Sequence, residues 1–212
     1  MMTKVGVLAL QGDFEEHAQR LQGLGCETIE LRCAADLDHV FDALVLPGGE
    51  STVQAALLAE FEMLEPMQKM ITEGIPVFAT CAGLVLLAQE VSYTNGEQGN
   101  DARIEQTRGT IATLPVCVRR NAYGRQLASF HAVAPFRESA TSTYEDAPCI
   151  PMTFIRAPLI DEVGDGVEVL ATIDDAIVAV LYANQLGITF HPELDDDDTI
   201  YQLFLDLVEK RA

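Results

Sequence analysis

Basic side chains are scarce in this sequence. Thirteen Lys and Arg stand against 33 Asp and Glu, giving a net charge of −20 and a pI near 4.3. Nucleic acid and anionic membrane surfaces need clustered Lys and Arg, so neither is an expected partner. Long apolar runs are missing as well. No stretch approaches the ~20 residues that span a bilayer. The opening run Val5–Leu10 is too short for the core of a secretion signal, and no small-residue cleavage site follows it. The five cysteines form no C-x-x-C pair, which disfavours a disulfide scaffold or structural zinc and fits reduced thiols in a cytoplasmic protein. Internal repeats and low-complexity linkers are absent too. The 212 residues, 49% apolar and 22% charged, have globular composition and are expected to form a single domain over 1–212.

What is present is an alternation of short apolar runs with helical patterns. Val5–Leu10, Glu27–Leu31, Ala43–Leu46 and Ile75–Ala79 are bounded by Gly and Pro, as strands of a parallel sheet buried on both faces are. Between them lie an amphipathic stretch from Phe14 to Leu24 and a helical pattern (Val53, Leu57, Leu58) that Ser51 opens as N-cap. Strands alternating with helices imply right-handed βαβ units and a doubly wound α/β fold. After residue 90 the pattern changes. Ser92–Arg108 carries Asn95-Gly96 and Gly99-Asn100 and reads as an exposed loop. Shorter strands are predicted at Val116–Val118, Leu127–Ala134, Thr153–Ile155 and Val167–Ile173. A hairpin joins Ala176–Ala183 to Leu186–Phe190. Asp195 to Asp198 precede the helical pattern Ile200, Leu203, Phe204, Leu207, Val208, where acidic side chains read as first-turn capping groups rather than metal ligands.

Four segments could carry chemistry. In Ile75–Leu87 an apolar strand runs into Cys81 and a small-residue helix start, Ala82-Gly83, follows at once. That is the context of a nucleophile elbow, although a buried cysteine can also serve only as a small hydrophobe. In Phe190-His191-Pro192-Glu193, two residues apart in an extended segment, His191 and Glu193 point to one side, so the carboxylate can orient the imidazole as a base. A structural histidine is the bland alternative. His17, His39 and His131 show no such neighbour in sequence. In Leu46-Pro47-Gly48-Gly49-Glu50-Ser51, the glycine pair can aim backbone N–H groups at an oxyanion, or simply close a tight turn. The G-x-x-x-x-G-K-S/T spacing of a P-loop is lacking. Finally, Arg119, Arg120 and Arg125 form a basic island in an acidic chain, and Arg156 follows a strand candidate. Each could balance surface charge or receive a substrate carboxylate.

Together these motifs resemble a known family. Leu46-Pro-Gly-Gly-Glu-Ser-Thr52, Thr80-Cys-Ala-Gly83, Arg120-Asn with Gly124-Arg-Gln126, Phe154-Ile-Arg-Ala-Pro158 and Phe190-His-Pro-Glu-Leu194 match, in order, the glutaminase subunit of pyridoxal 5′-phosphate synthase, within the class I glutamine amidotransferases. Two departures stand out. Ala79 occupies a position where the wider superfamily usually has Gly, so its backbone must keep φ < 0. The stretch Ser92–Pro115 is longer and more polar than the family pattern. The resemblance implies a three-layer, mostly parallel α/β glutaminase that needs no cofactor or metal. It further implies a Cys81–His191–Glu193 triad, an oxyanion hole at Gly49 and Ala82, and glutamine binding by Gly48, Gly49, Glu50, Arg120, Ile155 and Arg156. The ammonia would pass to a synthase subunit as protein partner. A redox-sensing cysteine protein is the rival, and it would have no use for the His191-x-Glu193 base. A glutaminase serving another synthase is the nearer alternative.

Overall fold

Alternate residues of each central strand enter opposite hydrophobic cores, and this builds the layered fold. The computed structural model describes residues 2–95, 103–108, 110–120, 129–137 and 147–211. Strands β1 (Lys4–Leu8), β2 (Glu27–Leu31), β3 (Ala43–Leu46) and β4 (Val77–Thr80) alternate with helices α1 (Phe14–Gly23), α2 (Ser51–Glu60) and α3 (Leu64–Thr72). Val5, Val7, Ala43, Val45 and Phe78 face one core with Leu21 of α1. Leu8, Leu44, Leu46, Val77 and Ala79 face the other with Leu58, Met67 and Ile71 of α2 and α3. Both faces of these strands are therefore apolar, and helices cover both.

Strand order carries the chain across the sheet. After α4 (Ala82–Leu87) come β5 (Ala88–Asn95), β6 (Arg103–Arg108), β7 (Leu114–Arg119), β8 (Ser129–Pro135), β9 (Cys149–Ile155), β10 (Leu159–Val163), β11 (Glu168–Ile173), β12 (Ala176–Tyr182), β13 (Gln185–Ile188) and α5 (Thr199–Arg211). The order is β2-β1-β3-β4-β13-β12-β10-β7-β5-β6, with β11 on β12 and a separate β8–β9 hairpin. From β2 through β13 every pairing is parallel. The antiparallel strands extend the sheet beyond the predicted β12–β13 hairpin. α5 packs Ile200, Phe204, Leu207 and Val208 into the α1 core, as its pattern requires. Among the described residues no helix is long and apolar enough to cross a membrane.

Several expectations need correction. Ser92–Arg108 is not simply a loop: β5 and β6 pair antiparallel, from Glu90 opposite Arg108 to Asn95 opposite Arg103, while 96–102 lie outside the described residues. β6 is the last strand of the order, and an edge strand tolerates polar sequence that hides it from pattern reading. α3 and β10 escape the pattern as well. Pro66 sits in the first turn of α3, where the missing N–H costs little. Ser51 is not the N-cap of α2. Glu50 is, its carboxylate accepting from the N–H groups of Thr52 and Val53 at 3.1 and 2.8 Å. The acidic run before α5 also divides its roles. Asp197 accepts from Thr199 N at 2.9 Å, whereas Asp195 turns inward to the N–H and hydroxyl of Thr153 on β9.

Candidate active site

β4 delivers Cys81 to the carboxyl edge of the sheet in a strained turn. Its φ of 44° and ψ of −101° lie where side chains other than glycine rarely go, at a cost of roughly 1–3 kcal/mol that the surrounding packing must hold. Ala79 stays within β4 and is not among the positive-φ residues. Gly83 makes the elbow possible: a Cβ there would lie 2.0 Å from the Leu46 carbonyl oxygen.

The neighbouring strand supplies the base. β13 pairs with β4 in parallel, Ile188 opposite Thr80, and Cys81 N donates to Ile188 O at 2.9 Å. Three residues on, His191 is anchored through its N–H to Thr153 O at 2.8 Å. A short 3-10 turn, Pro192–Leu194, then brings the Glu193 carboxylate back onto His191 Nδ1, with Oε1 at 2.6 Å. The two side chains meet as expected, but through a turn rather than an extended segment. Pro192, at the first position of that turn, favours the bend. Nδ1 being occupied, the buried Nε2 is the nitrogen left for the thiol.

Electrostatics follow from this arrangement. Burial alone would push the His191 pKa down. The adjacent Cys81 sulfur and the Glu193 carboxylate outweigh it and raise the value to about 10. Burial disfavours the Glu193 carboxylate, but the His191 hydrogen bond and nearby imidazoles hold it below its usual range. Asp13, 3.5 Å from His191 Nδ1, is shifted up by burial against the pull of that imidazole.

A polar cavity of about 320 Å³ opens beside the thiol. Of the expected residues, Gly49, Glu50, Ala82, Arg120, Ile155 and Arg156 line it together with Cys81 and His191. Gly48 does not. It packs behind the wall, where a Cβ would lie 2.5 Å from His191 Cε1. Arg120 meets Glu50 Oε1 at 2.7 Å and Thr52 Oγ1 at 2.8 Å. Arg156 holds a positive φ of 45°, and the carbonyl of Ile155 stands 4.0 Å from Cys81 Sγ. The Gly124-Arg-Gln126 motif and Arg125 lie outside the described residues.

The structure sets the Gln11-Gly12 turn, expected from the sequence to lie beside the glycine loop, directly against it, and adds Gln54 and His17, which no sequence signal singled out. Gln11 Oε1 accepts from Glu50 N at 2.7 Å. The buried Gln54 donates to Gln11 O at 2.9 Å and approaches the Pro47 and Gly48 carbonyls at 3.3 Å. Gly12 packs so closely on this loop that a Cβ would fall 1.8 Å from Gly48 O. His17 is also close by, its Nε2 3.4 Å from Glu193 Oε2, a contact across 176 residues that no local pattern carries. Donor atoms of Asp13, His191 and Glu193 lie within 4.8 Å of one another and could reach one cation. The 2.6 Å His191–Glu193 hydrogen bond already uses the Nδ1 such an ion would need.

Known proteins share this arrangement of chain. The SNO glutamine amidotransferase family matches residues 7–210. "Pyridoxal 5'-phosphate synthase subunit PdxT" of Desulfitobacterium hafniense (strain Y51) is 50% identical over 205 residues, covering 97% of this chain and 93% of its own. The protein of that name from Streptococcus pneumoniae (strain ATCC 700669 / Spain 23F-1) is 43% identical, with 99% and 100% covered. A solved glutamine amidotransferase superposes with a TM-score of 0.81 at 37% identity, over 97% of this chain and 98% of that one. PurLQS from Thermotoga maritima, at 16% identity, a TM-score of 0.62 and 97% and 99% coverage, shares the fold alone. A family match over nearly the whole chain, with relatives at 43–50% identity, places this protein in the SNO glutamine amidotransferase family.

Proposed function

We propose that the whole chain acts as one cytoplasmic glutaminase domain, hydrolysing L-glutamine and handing the ammonia to a pyridoxal 5′-phosphate synthase subunit. The observation that carries this reading is the 2.6 Å His191–Glu193 pair set beside an elbow cysteine at a polar cavity. The names of the relatives supply the partner.

His191 already holds the proton of the Cys81 thiol as an imidazolium, and the sulfur attacks the side-chain amide carbon. The charge on the tetrahedral oxygen would be met by backbone N–H groups of Gly49 and Ala82, each such donor typically contributing about 3 kcal/mol in the transition state. His191 returns the proton to the nitrogen as ammonia leaves, and Glu193 holds the ring throughout. A water molecule, deprotonated by His191, then cleaves the glutamyl thioester to glutamate and frees the sulfur. Glu50, Arg120, Ile155 and Arg156 would hold the amino-acid end of glutamine.

The test pairs wild type with Cys81→Ala in the presence of the synthase subunit. Wild type should release glutamate and ammonia and support pyridoxal phosphate formation, while the variant should do neither from glutamine and should still permit synthesis from added ammonia. Retained glutamine turnover in the variant defeats this reading. Running wild type with and without the synthase also measures gating, since the Gly48-Gly49 loop can be completed by docking; a slow isolated chain is expected.

A further inference from the structure

Behind Glu193, on the side away from the cavity, four fully or nearly fully buried polar side chains converge from separate elements. His17 comes from α1, Thr80 from the end of β4, Tyr201 from α5 and Glu193 from the 3-10 turn. His17 is 0% exposed. Its Nδ1 lies 2.8 Å from the Tyr201 hydroxyl, and its Nε2 lies 3.1 Å from Thr80 Oγ1 and 3.4 Å from Glu193 Oε2. The ring is wedged between Phe78 and Tyr201, at centroid distances of 5.7 and 5.9 Å. None of the motifs that carry the glutaminase reading includes this residue.

The tautomer follows from the partners. Burial pushes the Tyr201 hydroxyl's pKa up, so that group keeps its proton and can donate it into a hydrogen bond. Burial also lowers the His17 pKa, against the opposing pull of Glu193, so the ring is neutral and carries one proton. If Tyr201 donates to Nδ1, that proton sits on Nε2 and faces Thr80 and Glu193. Glu193 Oε2 is buried and has no hydrogen-bond partner among the described residues; His17 Nε2, which bonds Thr80 Oγ1 at 3.1 Å, stands 3.4 Å from it. A buried carboxylate with one oxygen unserved is costly, and a donor facing that oxygen favours the edge that Oε1 offers to His191.

We infer that His17 is a positioning residue of this site, a neutral imidazole whose Nε2–H, set by Tyr201 and bonded to Thr80, faces the far oxygen of Glu193 at 3.4 Å and steadies the carboxylate electrostatically so that Oε1 stays on His191. The chain runs from the Tyr201 hydroxyl through His17 and Glu193 to His191, and no proton needs to move along it. This inference rests on the proposed role of Glu193 in glutamine hydrolysis. The other titratable groups facing the cluster are Asp13, Glu16, Arg20, Asp198 and His191, and all five are left in place by the variants below.

The test uses His17→Leu, His17→Gln and Tyr201→Phe in the full chain with the synthase subunit present. Two readings are taken: steady-state ammonia release as a function of pH, and the His191 titration followed by nitrogen NMR, which is resolvable in a chain with four histidines. In H17L, kcat should fall about tenfold with the Michaelis constant within about twofold. The His191 pKa should drop by about one unit, a tenfold change in its proton affinity, because its carboxylate partner is less firmly held. H17Q, which retains a donor, should recover most of both. An unchanged His191 titration and kcat in H17L overturn the inference, and so does an H17Q as impaired as H17L. Should H17L fail to fold, Y201F decides: a smaller downward shift supports the inference and an unmoved titration overturns it. If wild type itself releases no ammonia, the glutaminase reading fails, while the NMR titration still reports on the link from His17 to His191.

Discussion

Arg120 and Glu50 form a 2.7 Å ion pair on the wall of the cavity, and a second guanidinium nitrogen of the same arginine holds Thr52 Oγ1 at 2.8 Å. The cation expected to receive a substrate carboxylate is thus already engaged with the residue that caps α2. A carboxylate entering the cavity must share the guanidinium fork or displace Glu50 from it. Arg has five N–H donors, so sharing is geometrically open.

Removing the arginine should therefore weaken substrate binding more than chemistry. Arg120→Ala is expected to raise the Michaelis constant for glutamine roughly tenfold to a hundredfold, the scale of one charge-assisted hydrogen bond, with kcat changed much less. Glu50→Ala should combine a binding defect with loss of the cap, about 1 kcal/mol of stability. Steady-state kinetics and thermal melts on both variants separate the two effects. Wild-type kinetics in R120A would leave Arg120 a cap partner only.

The His191 pKa of about 10 predicts a pH signature in stability. Its unfolded value is near 6.5, so the proton is held more tightly in the folded protein. The stabilisation is complete below about pH 6.5 and is lost as pH rises through about 10, on the order of a few kcal/mol in all. Melting temperatures measured between pH 6 and 10.5 should fall more steeply for wild type than for His191→Asn, which lacks the titrating ring. Parallel curves would mean that the imidazolium is not held by Cys81 and Glu193. Glu193→Gln should also lower glutamine turnover by at least about tenfold, since the ring loses its charged partner.

Gly83 is a steric necessity of the elbow. A Cβ there would fall 2.0 Å from the Leu46 carbonyl oxygen and 2.7 Å from its carbonyl carbon, and neither β3 nor α4 can yield without disturbing the core. Gly83→Ala should cost about 1–3 kcal/mol or more, which at this chain length lowers the melting temperature by several degrees. Differential scanning calorimetry beside wild type checks this. An unchanged melting temperature would show that α4 can slide.

Gln11 is the tie between the first turn and the glycine loop. Its Oε1 accepts from Glu50 N at 2.7 Å, and a Cβ on Gly49, whose φ is 147°, would fall 2.5 Å from it. Gln11→Ala releases the peptide that follows Gly49. The ratio of ammonia release with the synthase subunit to release without it should shrink in this variant, because the loop no longer depends on docking to change orientation. A ratio equal to wild type would show that Gln11 does not restrain the loop.

Local patterns were enough for much of this molecule. Apolar runs bounded by Gly and Pro marked β1, β3 and β4, because a strand buried on both faces can hardly be polar. The spacing of Ile200, Phe204 and Val208 marked the buried stripe of α5, and small residues after Cys81 marked the elbow, since a tight turn admits little else. The His191–Glu193 pair was visible because its members are two residues apart. Three-dimensional packing decided the rest. β6 escaped because an edge strand has only one paired neighbour and tolerates polar residues. Ser51 reads as a cap by residue type, yet the Glu50 carboxylate reaches the same N–H groups. Arg120 was visible as a charge, while its partner became definite only when the end of β7 was brought beside the start of α2. His17 was set aside for lack of a neighbour, because its neighbours, Thr80, Glu193 and Tyr201, lie 63 to 184 residues away. A side chain's type and local period are written in sequence, but the partner that sets its charge and orientation is chosen by which strands and helices pack together.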